Sequence, residues 1–179
     1  MHRPTHTDLA VSASATDHAI GPDHAPVTVV EYGDFECPNC KQAAPAVKLL
    51  LERYPERVRF IYRHFPQEAL HPHALHAAES AECAAAQGRF WPMHDLLFAN
   101  QDHLQGKHLR QYAQQLQLAM AQYDAEMDDE VYLQRIREHV AGGSRSHLRS
   151  TPGFFVNGII VDVSFGLRSL FDATEAALK

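Results

Sequence analysis

The sequence predicts an α/β fold in which a βαβ unit and a ββα unit share one sheet, with a mainly helical stretch inserted between them. Three observations carry this. A β-branched run, Val27-Thr28-Val29-Val30-Glu31-Tyr32, precedes a helical pattern and a second, alternating apolar run over residues 58–63. The stretch from about residue 70 to 140 is helix-forming throughout. An Asn157-Gly158 pair then separates two apolar runs, and an amphipathic segment closes the chain.

Each element has its own signal. The first run suits a buried central strand, because β-branched side chains pack well on a pleated surface. Gly33-Asp34-Phe35-Glu36 is the short connection that follows. From Pro38 the apolar residues Ala43, Val47, Leu50 and Leu51 recur at helical spacing. Val58, Phe60 and Tyr62 alternate with Arg59, Ile61 and Arg63, a period-two strand. Strand, helix, strand implies a parallel pair with a right-handed crossover. Helices are expected over residues 72–87, 90–100, 107–118 and 121–140. In the last, Leu133, Ile136 and Val140 share a face, and Gly142-Gly143-Ser144 marks the end. Asn-Gly between Phe154-Phe155-Val156 and the run Ile159 to Val163 is a strong hairpin signal. Leu167, Leu170, Phe171, Thr174 and Leu178 line the face of a final helix.

With 179 residues the chain is long enough for one domain with a sizeable core. The net charge of −6 gives no reason to expect nucleic acid as a partner. No apolar stretch approaches the roughly 18–20 residues of a membrane span. Residues 1–24 are polar and His-rich, without the apolar core of about 7–15 residues that an export signal needs. They are read as a mobile tail on a cytoplasmic protein; a periplasmic location is the alternative if a signal was missed or removed. The expected domain is 25–179, with the helical insertion at about 67–145.

The chain has three cysteines, too few for a disulfide-stapled scaffold. Two form Cys37-Pro38-Asn39-Cys40, where a strand gives way to a helix. A helix N-terminus presents unpaired amides and the positive end of the macrodipole, so it favours a thiolate at Cys37. Pro38 suits the first turn, where its missing N–H costs nothing. The three-residue offset brings Cys40 to the same side and deeper into the helix, as a resolving thiol requires. A zinc site would need further ligands, and there is no second C-x-x-C.

This motif resembles the active-site motif of the thioredoxin superfamily, and the helical insertion makes the chain similar to its DsbA-like branch over about residues 25–178. The resemblance implies a thioredoxin-like fold and thiol–disulfide exchange with protein or peptide thiols and disulfides, with glutathione or a thioredoxin-type protein as a redox partner. It implies no cofactor and no metal. Glu31, six residues before Cys37, matches the family's buried acid beneath the dithiol, which assists proton transfer at the resolving cysteine. Pro45, five residues after Cys40, matches the kink in the active-site helix. Thr151-Pro152 matches the cis-proline loop, whose backbone receives the substrate beside Pro38 and Asn39. Gly153 departs from the pattern, which more often has threonine there. Pro38-Asn39 is neither the Gly-Pro of reducing thioredoxins nor the Pro-His of the strong periplasmic oxidant, so direction stays open between oxidase, isomerase and reductase. Two alternatives come from other classes: a glutathione-dependent isomerase or transferase of related fold, against which Cys40 argues, and a non-catalytic metal- or peptide-binding module.

Other residues carry plainer expectations. Glu31 is a carboxylate in an apolar strand, so burial should raise its pKa; Tyr62, Arg63 and His64 are the candidates to face it. Cys83, in an alanine-rich stretch, is expected as a small buried residue. His71, His73 and His76 lack the i, i+4 spacing of a helical zinc pair and are expected on solvated surface. Trp91 is a packing anchor, and Asp128-Asp129-Glu130 a helix-starting acidic run.

Overall fold

The computed structural model describes residues 7–179. Among these, five strands form one sheet and seven helices surround it. The chain runs β1 (His18–Ile20), β2 (Val27–Gly33), α1 (Pro38–Arg53), β3 (Val58–His64), α2 (Ala74–Ala86), α3 (Phe90–Ala99), α4 (Gly106–Gln115), α5 (Met120–Asp128), α6 (Leu133–Arg145), β4 (Gly153–Val156), β5 (Ile159–Val161) and α7 (Arg168–Ala177). The strand order is β1-β3-β2-β4-β5. β2 and β3 are parallel; every other pair is antiparallel. The α/β architecture with its helical insertion is the thioredoxin-like one expected.

The period-two alternation of strands sorts the core into two faces. Val27, Val29, Phe60, Tyr62, Phe154 and Val156 point to the larger cluster, which also holds Cys37, Cys40, Val47 and Leu50 of the first helix and its start, and the apolar residues of the insertion. Val30, Tyr32, Ile61 and Phe155 point the other way and pack with Leu9, Phe65 and Val140. Glu31 has the parity of Val27 and Val29, and so lies on the face that carries the dithiol. Asn157 and Gly158 both take positive φ (47° and 82°), the geometry of a tight hairpin turn whose twist suits antiparallel strands.

Four expectations are corrected. The mobile tail expected over residues 1–24 does not hold for residues 7–24; residues 1–6 lie outside the described residues. Leu9 is buried in the second cluster, and His18–Ile20 adds the strand β1 to the sheet. Arg63 spends five hydrogen bonds on this segment and its neighbour, reaching both Asp17 carboxylate oxygens, the carbonyls of Val11 and Ser12, and the Tyr32 hydroxyl. A polar composition concealed one apolar anchor and one buried ion pair. Gly142-Gly143 does not end a helix but lies inside α6, where a Cβ on Gly143 would come within 2.7 Å of the Phe65 ring. The glycines let helix and sheet approach closely. The expected helix over 121–140 is two helices, and Asp128-Asp129-Glu130 ends the first rather than starting one, with Glu130 at φ 50°.

Candidate active site

Cys37 is the N-cap residue of α1, with extended backbone (φ −75°, ψ 122°) and no side-chain capping bond of its own. Its sulfur is therefore left for other partners. Pro38 opens the helix; it and Asn39 are exposed, while Cys40 is wholly buried one turn further in. Pro45 lies inside the helix. The Cys37 thiol donates to the Thr151 carbonyl at 3.4 Å, and the peptide bond from Thr151 to Pro152 is cis. The fold thus brings Cys37, Cys40, Pro38, Asn39, Thr151 and Pro152 to one place. Glu31 lies beneath, in β2.

The electrostatics of the two sulfurs diverge. A hydrogen bond from the Cys40 thiol is the largest influence on Cys37; burial opposes it, and the Thr151 side chain with the amides of Cys40 and Asn39 adds to it, holding the Cys37 pKa down at about 5. Cys37 is therefore a thiolate near neutrality, the form that attacks disulfides. Cys40 goes the other way: burial first, then the Cys37 hydrogen bond and the Glu31 charge, push its thiol well up. Glu31 is 2% exposed, and burial, aided by the Cys37 charge, raises its carboxyl to about 8. A nucleophile, a protonated second thiol and a carboxyl that titrates near neutrality form a set suited to two-step sulfur exchange.

A network unforeseen from sequence supports this set. Asp34 is fully buried and accepts from the amides of Glu36 (2.7 Å) and Gln67 (2.9 Å) and from His71 Nδ1 (2.7 Å). Its own carbonyl receives the Cys37 amide at 3.1 Å. The Gln101 side-chain amide donates to the Phe35 and Cys37 carbonyls, and the Thr151 hydroxyl donates to Gln67 Oε1. The dithiol loop is thus held from β2, the segment after β3, the end of α3 and the proline loop. Asp34 had a local signal, since aspartate at a turn bonds nearby amides. Gln67 and Gln101 had none. His71 is part of this network rather than solvated surface: burial would lower its pKa, but the Asp34 carboxylate outweighs that and raises it.

One departure from the family pattern finds its cause, and Cys83 is buried as expected. A Cβ at Gly153 would come within 2.5 Å of Leu148 Cδ2, so glycine fits this packing. Cys83 is fully buried in α2, and burial, then Glu126, pushes its thiol up to about 12. Away from the dithiol, Glu82 Oε1 accepts from both His18 Nε2 and His64 Nε2 at 2.7 Å, with Arg135 3.0 Å from its other oxygen. This clasp joins β1, β3, α2 and α6. Trp91 packs on Phe60 and donates to the Ala19 carbonyl.

Comparison with known proteins identifies the family. A family model described as Thioredoxin matches residues 13–173. The chain is 46% identical over 161 residues to a protein named Na(+)/H(+) antiporter NhaA 1 from Salinispora arenicola, a match covering 90% of this chain and 24% of that protein. The chain spans about a quarter of the length of the curated relatives it matches. A solved thioredoxin-like oxidoreductase from Silicibacter pomeroyi superposes with TM-score 0.81 at 26% identity, covering 92% of this chain and 94% of that one. BdbD from Bacillus subtilis superposes with TM-score 0.80 at 22% identity, covering 90% and 92%. The motif at the head of α1, the proline loop across from it and the match along residues 13–173 all lead to one assignment: the chain belongs to the thioredoxin family.

Proposed function

We propose that the protein is a thiol–disulfide oxidoreductase that oxidises dithiols of protein or peptide substrates through Cys37 and Cys40. The observation that carries this is the pairing, at the head of α1, of a buried, protonated Cys40 with a Cys37 held as a thiolate by the Cys40 thiol and the amides of Cys40 and Asn39. Lowering the thiolate's pKa stabilises the reduced pair relative to the disulfide, which is how a dithiol protein becomes an oxidant.

In the oxidising direction a substrate thiolate attacks the Cys37–Cys40 disulfide at Cys37. A mixed disulfide forms and Cys40 leaves as a thiolate that takes up a proton. A second substrate thiolate then attacks the substrate sulfur and releases Cys37. The substrate loses two electrons, which the dithiol gains. In this reading Glu31 handles the proton at Cys40. Pro38, Asn39, Pro152 and the Thr151 backbone receive the polypeptide. Glutathione or a thioredoxin-type protein remains a candidate redox partner. An oxidising role favours an oxidising compartment over the cytoplasm. Ion exchange, named for the curated relatives, is not proposed for this chain: the match covers its thioredoxin-like part, and no helix among the described residues is long and apolar enough to cross a membrane.

Equilibrating the dithiol against glutathione buffers tests the proposal. The expected potential lies nearer about −120 mV than about −270 mV. A value near the lower figure overturns the oxidising direction, and failure to form a Cys37–Cys40 disulfide overturns the activity.

A further inference from the structure

Strand register sets Glu31 and Tyr62 side by side on the parallel pair β2 and β3, on the sheet face that carries the dithiol. Both are buried, Glu31 at 2% exposure and Tyr62 at 0%. Glu31 Oε1 and the Tyr62 hydroxyl each lack a hydrogen-bond partner among the described residues. Unpartnered atoms on two neighbouring residues are unusual in a folded core, where buried polar groups are almost always paired.

The phenol ring stacks on Phe35, with centroids 5.3 Å apart. Its hydroxyl end runs under Gly33, where a Cβ would come within 2.6 Å of the oxygen. Tyr62 therefore extends past Glu31 toward the connection that presents the cysteines. The titratable groups around it come from every neighbouring element: Glu31 from β2, Asp34 and Cys37 from the connection, Cys40 from α1, His64 from β3 and His94 from α3. Burial and the charges of Cys40, Glu31, Asp34 and Cys37, in that order, push the phenol well above its ordinary pKa, so it stays a donor.

We propose that Tyr62 is a positioning residue for the resolving thiol, its hydroxyl stabilising by hydrogen bond the negative charge that passes between Cys40 and Glu31. The inference rests on the exchange reading above. When reduced protein meets glutathione disulfide, the Cys37 thiolate attacks one sulfur, and the first glutathione thiolate leaves. Cys40 then passes its proton to the Glu31 carboxylate and attacks Cys37; the Cys37–Cys40 bond forms and the second glutathione thiolate leaves. Two electrons move from the dithiol to glutathione disulfide, and Tyr62 keeps its proton throughout.

Tyr62→Phe keeps the ring and removes only the unpaired oxygen. Rapid-mixing kinetics with glutathione disulfide, followed across the pH range in which Cys40 titrates, separate the two steps. The first step should be unchanged. The second should slow about tenfold, as loss of one hydrogen bond to a charged group implies, with its pH midpoint moved upward. A purely structural role would lower thermal stability without moving that midpoint. Wild-type protein carrying 13Cζ-tyrosine supplies a second readout, in which the Tyr62 resonance should follow the Cys40 titration. A second step with wild-type rate and midpoint overturns the inference and leaves exchange intact. A wild-type protein that never closes the Cys37–Cys40 bond overturns both. Should the variant fail to fold, a Tyr62 resonance that stays fixed while Cys40 titrates overturns the inference.

Discussion

The Cys37 sulfur lies 3.4 Å from the carbonyl oxygen of Thr151, a residue 114 positions away, so the thiolate and the backbone before Pro152 share one surface. Polypeptide bound along that backbone would have its sulfur delivered to Cys37. With the pKa of Cys37 held near 5, mostly by the Cys40 thiol, its alkylation by iodoacetamide should show a pH midpoint of about 5. Cys40→Ala, which removes that donor, should move the midpoint upward. A wild-type midpoint at the ordinary thiol value of 9.0 would show that the thiolate is not held.

The two cysteines should fail differently. Cys37→Ser should abolish turnover, having no nucleophile. Cys40→Ser should accumulate mixed disulfides between Cys37 and substrate, visible as mass adducts released by reductant. Full activity in the Cys37→Ser protein would remove the assignment.

Asp34→Ala should destabilise the protein by about 2–4 kcal/mol, because two half-buried amides and the His71 ring lose their acceptor at once. Because these bonds hold the dithiol loop, the Cys37 alkylation midpoint should shift in the same variant. Denaturant titration and the alkylation profile check the two effects separately.

Glu31 stores a cost that varies with pH. Its carboxyl is raised from 4.5 to about 8, so the folded state holds a proton that the unfolded chain releases. Stability from this group is fully present below the unfolded pKa and is lost as pH rises toward about 8. Glu31→Gln should therefore stabilise the reduced protein near neutrality, by about 1–3 kcal/mol, while slowing exchange. Thermal denaturation at acidic and neutral pH would reveal this as a gain present only at the higher pH.

The histidine clasp, with His139 of α6 beside it accepting the His64 amide on Nδ1 at 3.1 Å, has the opposite sign. Burial first, then His64 and Arg135, lower His139 to about 3, and burial also lowers His64. Burial would raise Glu82, but hydrogen bonds from His18 and His64 outweigh it and hold the carboxyl far below its usual range. Folded pKa values below unfolded ones mean stability present at neutral pH and lost on acidification, beginning below about 6.5 for the histidines and about 4.3 for the carboxyl. His139→Gln should flatten the first part of that acid transition. An unchanged profile would exclude His139 as its source.

Local signals were most legible where one interaction range decided the outcome. The strands β2 and β3, the Asn157-Gly158 turn and the proline at the start of α1 follow from pleat parity, turn sterics and amide accounting. The Gly142-Gly143 pair was misleading because glycine punctuates a chain only when nothing packs on it; here Phe65 and Tyr32 occupy the space. Leu9 and Asp17 gave no warning within a polar segment, since their partners lie in β3 and the second core cluster. Tyr62, Arg63 and His64 all stood as candidates to face Glu31. Register selected Tyr62.

By itself the sequence determined the kind of chemistry, for two thiols spaced to share the first turn of a helix, behind a β-branched strand, constrain it through nearest-neighbour sterics and amide counting. Only the tertiary structure decided what surrounds the sulfurs: Thr151 against Cys37, Tyr62 beside Glu31, Asp34 and Gln101 clamping the loop. Those contacts join residues tens of positions apart, and their energies depend on burial and separation in space, which sequence periodicity does not encode.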